Sequence, residues 1–150
     1  MTDRSSRADG ARVLADLHAL RAIGPYKTGV HKPTFSEPHL HSLAWLVQRL
    51  PDAGLAGEID GIGNVLGTST KGGPKLLAGS HLESQNHAGW LDGPLGVIYA
   101  LEAARVINTD PAGNGLEFYH GDSRADTPFV SPIGVPEFVT GDMGMGHAVF

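Results

Sequence analysis

The sequence predicts an α/β layered domain. Three observations lead there: two amphipathic helical segments open the chain, short strand candidates bounded by Gly and Pro follow, and an almost wholly apolar segment separates the last two strands. The predicted order is α-α-β-β-β-α-β, with no internal repeat.

Asp9 is placed to cap a first helix running through about Ala22, with Val13, Leu17 and Leu20 at spacings of four and three. Gly24-Pro25 ends it. Tyr26 to Phe35 has turn chemistry without a period and reads as a loop. Ser36 is a good N-cap, followed by Glu37 in the positive first turn and by Pro38, whose missing N–H costs nothing there. Leu40, Leu43, Val47 and Leu50 then mark one face of a second helix, which Pro51 and Gly54 close. Ala56 to Asp60 and Asn64 to Thr68 read as strands joined by a hairpin turn at Gly61-Ile62-Gly63. After the loop Lys71-Gly72-Gly73-Pro74, Lys75 to Ser80 is a short apolar run suited to a buried strand. Pro94 to Ile107 has only Glu102 and Arg105 strongly polar and reads as a buried helix. Leu116 to His120 supplies one more strand.

Of the 150 residues, 41% are apolar and 18% charged, a globular composition. The net charge is −5 and the basic residues are scattered, which argues against a nucleic-acid surface and a polybasic membrane patch. With no cysteine, a disulfide framework, a thiolate nucleophile and a Cys-based zinc site are excluded. Any metal must be held by His and carboxylates. The polar stretch Met1 to Gly10 lacks the apolar core of a signal peptide, and no apolar run approaches the ~20 residues of a membrane helix. The expectation is a cytoplasmic protein. The 21 Gly and 10 Pro are spread over the whole chain, and beyond Gly113, where they recur every few residues, no long periodic segment survives.

The chemistry concentrates in Gly79-Ser80-His81-Leu82-Glu83-Ser84 and Trp90-Leu91-Asp92-Gly93. His81 falls just past a strand's carboxyl end, where open α/β sheets place their ligands. Asp92 precedes the helix that begins near Pro94. An imidazole and a carboxylate brought together in this way suit Zn²⁺ or Mn²⁺. Glu83, two residues beyond His81, points the same way in extended backbone and can accept the second imidazole N–H. Taken alone, His-x-Glu is a weak signal, and its ordinary reading is a loop histidine bonded to a nearby carboxylate.

Leu76-Leu77-Ala78-Gly79-Ser80-His81-Leu82-Glu83-Ser84 resembles the Gly-Ser-His-Leu-Asp-Ser/Thr signature of the N-carbamoyl-L-amino acid amidohydrolase and allantoate amidohydrolase family. These are hydantoinase/carbamoylase-type enzymes related to di-zinc aminopeptidases. Asn86 to Val97 is similar to the family's Gly-x-x-Asp-Gly-x-x-Gly-Val stretch, and Asp60-Gly61-Ile62-Gly63-Asn64-Val65 resembles its Asp-x-x-Gly-Asn element. The likeness runs from about Val13 to Ile107. It implies the N-terminal part of a three-layer α/β/α di-zinc peptidase-like catalytic domain. It also implies that His81 binds one metal, that Glu83 orients His81 where many relatives have Asp, and that Asp92 bridges two metals. Two Zn²⁺ or Mn²⁺ per site, a small N-carbamoyl amino acid or ureide substrate and a homodimer are the family's further implications.

The chain then departs from the pattern. Where the family has a strand ending in Asp-Glu-Glu-Gly, with general base and metal ligand, this sequence reads Phe118 to Asp126. Aligning Asp122 with the family Asp puts Ser123 and Arg124 in the places of the two glutamates. Ser has no basic group near neutral pH, and an Arg beside a dication is electrostatically wrong. Asp122 or Asp126 could substitute only after a shift of register, so no general base is identified. His147 is the only late histidine, and the family's later histidine ligands and dimerisation domain would lie beyond Phe150. The expectation is therefore an incomplete catalytic domain over 1–117, followed by a divergent Gly/Pro-rich tail over 118–150 in a truncated or frame-disrupted member.

Other candidates read as structural. His39 and His41 are two apart on a helix, face different directions and read as solvated. His18 and His31 read as surface or loop residues. His87 suits a loop hydrogen bond better than a substrate contact, Trp45 a half-buried helix position, and Trp90 either a site wall or packing. The glycine pattern at Gly61, Gly63 and Gly67 departs from the dinucleotide fingerprint and opens no helix. Three functions stay open: a metal-dependent hydrolase of non-peptide C–N bonds, a non-catalytic fragment or pseudo-enzyme, and, more weakly, a metallo-aminopeptidase.

Overall fold

The computed structural model describes residues 8–71 and 76–109 in full, and the backbone of residues 116–120, 127–130, 136–142 and 145–147. Helix α1 spans Gly10–Arg21. Asp9, extended at φ −96 and ψ 99, caps it by accepting from the N–H groups of Ala11 and Arg12 at 3.0 and 3.2 Å. Helix α2 spans Glu37–Arg49, with the Ser36 hydroxyl accepting from the His39 N–H and Glu37 in the first turn. A 3-10 turn, Leu50–Ala53, follows and closes at Gly54.

The segment read as a loop after α1 contains a small hairpin, β1 (Pro25–Tyr26) paired antiparallel with β2 (Gly29–Val30). Two-residue strands leave no periodic signal in sequence, which is why this pairing escaped the reading.

The main sheet contains β3 (Leu55–Ile59), β4 (Val65–Ser69), β5 (Leu76–Ala78) and β6 (Leu116–His120) in the order β3-β4-β6-β5. The β3–β4 and β4–β6 pairs are antiparallel, and β5–β6 is parallel. Helix α3, Pro94–Thr109, supplies the crossover that a parallel pair needs. The first two strands lie one residue from their predicted bounds because Asp60 and Asn64 belong to the turn. The Asp60 carboxylate accepts from the N–H of Ile62 at 3.0 Å, from that of Asn64 at 2.8 Å, and from the Asn64 side-chain amide at 2.8 Å. The Asp-x-x-Gly-Asn element is thus an Asx-type turn that sets the hairpin register. Strands β7 (Thr127–Val130), β8 (Pro136–Asp142) and β9 (Met145–His147) form a separate antiparallel sheet.

Helix α2 packs on β3 and β4, α3 on β6, and α1 on α3. One apolar core joins them, including Leu17, Leu20, Leu43, Leu46, Leu50, Val97, Ile98 and Leu101. Full burial of each such leucine, isoleucine or valine is worth about 1.5–3 kcal/mol. Gly57 and Gly67 face each other across β3 and β4. A Cβ on either would stand 2.7 or 2.9 Å from a methyl group of Leu50, so this glycine pair is the socket for that side chain.

The buried face of α2 is rotated by one residue from the predicted face. It comprises His39, Ser42, Leu43 and Leu46, whereas Leu40 is exposed. His39 is fully buried rather than solvated, and its Nδ1 accepts the Phe35 N–H at 2.9 Å, which is what allows a polar ring into the core. His41 is exposed, as read.

The two polar residues of α3 are also buried. Arg105 donates to Asp16 of α1 at 2.7 Å, and Glu102 accepts from the Arg12 guanidinium at 2.8 Å and from the Asp9 N–H at 2.7 Å. Burial alone would raise the Glu102 pKa. The hydrogen bonds from Arg12 and Asp9, with the charges of Arg12 and Arg105, outweigh that and hold its carboxyl below the ordinary value. The same hydrogen bond raises Arg12 further above neutrality.

Candidate metal centre

Strand β5 ends at Ala78, and the chain passes through Gly79 and Ser80 to His81. The His81 Nδ1–H donates to Glu83 Oε2 at 2.7 Å. The pair is sequestered, with side chains 12% and 3% exposed. An ionised carboxylate only accepts hydrogen bonds, so the proton of a neutral His81 ring belongs on Nδ1, and the lone pair is then on Nε2. That lone pair lies on the side of Asp92, whose Oδ1 is 4.0 Å from Nε2. The Asp92 side chain is 85% exposed and sits two residues ahead of α3, at the positive end of the helix.

Two glycines bring strand tip and helix start together. A Cβ on Gly93 would overlap the His81 carbonyl oxygen and stand 2.5 Å from Cε1 of its ring. A Cβ on Gly96 would stand 2.8 Å from that of Ser80. The loop between the two candidate ligands is held at both ends. Ser84 exchanges two hydrogen bonds with the Lys32 backbone, and Ala88 exchanges two with Val30.

Zn²⁺ sits about 2.0–2.2 Å from His nitrogen or carboxylate oxygen, so two donors on one tetrahedral ion lie about 3.4 Å apart. The 4.0 Å separation and the exposed Asp92 side chain bring His81 and Asp92 within a small rotation of that geometry. Their donor chemistry fits a borderline divalent cation. Among the described residues no group of three or more His, Asp and Glu converges, so these two donors alone would leave a tetrahedral shell incomplete. Asp122, Ser123, Arg124 and Asp126 lie outside the described residues, and His147 is described only as a backbone position of β9.

His87 keeps a loop role. Its N–H donates to His31 Nδ1 at 3.4 Å, and its ring stacks on Tyr26 with centroids 3.8 Å apart. Trp90 is half-buried against the core, with His18 stacked on it and Arg21 above its ring, which supports the packing reading. The sequence reading missed the contacts of Val30 and Lys32 with this loop. They join residues more than fifty positions apart, and neither segment carries a pattern that announces them.

No sequence-family profile matches the chain. An N-carbamoyl-L-amino-acid amidohydrolase from Paenarthrobacter aurescens is 32% identical over 104 residues, which are 67% of this chain and 25% of that protein. The crystal structure of an amidase of the hydantoinase/carbamoylase family from Burkholderia phymatum superposes with a TM-score of 0.74 at 40% identity, covering 85% of this chain and 32% of that one. The chain thus spans about a quarter to a third of the length of these proteins. A match of a different kind is to a 3-methylcatechol 2,3-dioxygenase from Pseudomonas putida, 52% identical over 42 residues, or 27% of this chain and 14% of that protein.

Proposed function

Because this chain belongs to the hydantoinase/carbamoylase-type amidohydrolases over the stretch it shares with them, we propose that it serves the metal-dependent hydrolysis of non-peptide C–N bonds, in N-carbamoyl-L-amino acids or in ureides such as allantoate. The observation that carries this reading is the His81 imidazole, fixed by Glu83 at 2.7 Å and presenting Nε2 toward Asp92. His81 and Asp92 would hold the cation, Zn²⁺ or Mn²⁺, two per site as in the resemblance. Such ions supply Lewis acidity toward the substrate carbonyl and toward water. Glu83 fixes the imidazole tautomer and raises its basicity. The described residues offer no general base. A cytoplasmic location and a homodimer belong to the same proposal. The absence, among the described residues, of a helix long and apolar enough to cross a membrane is compatible with that location.

The test is metal analysis of the purified chain, paired with ammonia release from N-carbamoyl amino acids and allantoate. A complete site predicts about two ions per chain, lost in His81→Ala and Asp92→Ala. Metal content indifferent to those substitutions would overturn the reading.

A second reading is that the chain is a non-catalytic part of the amidohydrolase domain, with the dioxygenase match falling in its tail. A 42-residue match is short enough to fit between residues 108 and 150, beyond the Val13–Ile107 likeness. On this reading the tail derives from an unrelated fold, not from a shifted frame of the same gene. It then supplies none of the missing glutamate and histidine donors. The separate β7-β8-β9 sheet accords with that origin. Metal bound through His81 and Asp92 without any ammonia release is the outcome it predicts.

A further inference from the structure

Lys32 is the largest side chain fully buried in the described structure, 1% exposed. Burying an ammonium is unfavourable unless it is well partnered, and an apolar residue of similar length would fill the same space. The group donates to the Leu20 carbonyl oxygen at 2.6 Å, in the last turn of α1, where the helix presents its negative end. The backbone of the same residue is committed elsewhere. Its N–H donates to Ser84 Oγ at 2.9 Å, and its carbonyl accepts the Ser84 N–H at 2.9 Å. Two residues earlier, Val30 exchanges hydrogen bonds of 3.0 and 3.1 Å with Ala88.

Residues 30–32 therefore grip both ends of the segment 84–88. That segment begins one residue after Glu83 and leads into the turn that carries Asp92. The grip is anchored through the Lys32 side chain to the end of a core helix. Displacing it moves Ser84 first, and Glu83 is covalently adjacent.

We infer that Lys32 is a positioning residue for the His81–Glu83–Asp92 centre: its buried ammonium ties the end of α1 to residues 30–32, and their hydrogen bonds to Ser84 and Ala88 set where Glu83 stands relative to the His81 ring. The inference rests on the metal-site reading for its consequence in binding, but not for its structural content. Loss of the anchor releases the Glu83 acceptor, lets the imidazole exchange tautomers and weakens any cation held on Nε2.

Lys32→Met, Lys32→Arg and Ser84→Ala in the full chain test it with two measurements. Nitrogen-15 NMR of the metal-free protein reads the His81 tautomer directly. The wild type is expected to show a protonated Nδ1, with Lys32→Met shifting the ring toward a mixture and Lys32→Arg restoring the wild-type signal. Zinc titration is expected to show a loss of roughly tenfold to a hundredfold in affinity for Lys32→Met, a range typical of groups that orient a ligand, and a smaller loss for Ser84→Ala. If Lys32→Met does not fold, Ser84→Ala decides, because it leaves the lysine buried and removes one of the two bonds to residue 32. An unchanged His81 tautomer in whichever variant decides overturns the inference. A wild type that binds no zinc defeats the metal reading instead, and the tautomer measurement still decides the role of Lys32.

Discussion

Gly93 lies against the His81 ring with no room for a side chain: a Cβ there would stand 2.5 Å from Cε1 and 2.6 Å from Nδ1. The glycine also holds φ at +85, a conformation that other residues adopt only under strain. Backbone and ring are therefore fitted to each other, and the Asp-Gly step after Trp90-Leu91 is what lets Asp92 come near the imidazole. Gly93→Ala is expected to destabilise the fold by about 1–3 kcal/mol in urea titration and to displace His81 enough to abolish metal retention. A variant with wild-type stability and metal content would show that this contact does not fix the ring.

Glu83 is a buried acceptor for the His81 Nδ1–H. Glu83→Gln keeps the size and an acceptor oxygen but removes the charge that raises imidazole basicity. Metal affinity is expected to fall roughly tenfold to a hundredfold, with the fold retained by circular dichroism. Glu83→Asp, which keeps the charge on a shorter side chain, is expected to lose less. Equal affinities in all three proteins would reduce Glu83 to a packing role.

The proximity of His81, Glu83 and Asp92 was legible from local placement, while their reading as a metal site came from the resemblance. A strand tip places His81, an i,i+2 step aligns Glu83, and a helix start places Asp92. The helix caps at Asp9 and Ser36 were legible for the same reason. The face of α2 was misread because Leu40 and His39 compete for one position, and hydropathy alone favours leucine. A hydrogen bond from Phe35, outside the helix, decides for the histidine. The charges of α3 were noted as exceptions to an apolar helix, but their partners Arg12 and Asp16 lie about ninety residues away on α1. Pairing over that distance depends on tertiary packing that no local pattern encodes.

The Arg105–Asp16 pair is buried on both sides, with side chains 6% and 8% exposed and a 2.7 Å contact. Removing Asp16 leaves the buried Arg105 charge to the longer 3.5 Å contact with Glu102, which Arg12 already engages. Asp16→Ala is expected to cost roughly 3–5 kcal/mol in chemical denaturation. The double substitution Asp16→Leu with Arg105→Met is expected to recover most of that loss, because the desolvation penalty goes with the charges. If the double variant is no more stable than Asp16→Ala, the pair contributes through geometry that apolar packing cannot replace.

Glu102 gives the pH dependence its sign. Its carboxyl is held below the ordinary value of 4.5 in the folded chain, so the unfolded chain takes up a proton first as the solution is acidified. The associated stability is fully present above about pH 4.5, the unfolded value, and is lost as pH falls through the lower folded value. Arg12 stays charged throughout, since its own shift is upward. Thermal melts between pH 7 and pH 3 should therefore show an acid-side decline that is shallower in Glu102→Gln, which has no proton to gain. Because Arg12 and Arg105 both contact Glu102, that variant is also expected to be less stable than wild type at pH 7, with the two curves converging toward pH 3. Parallel curves over the whole range would place the acid sensitivity in other carboxylates.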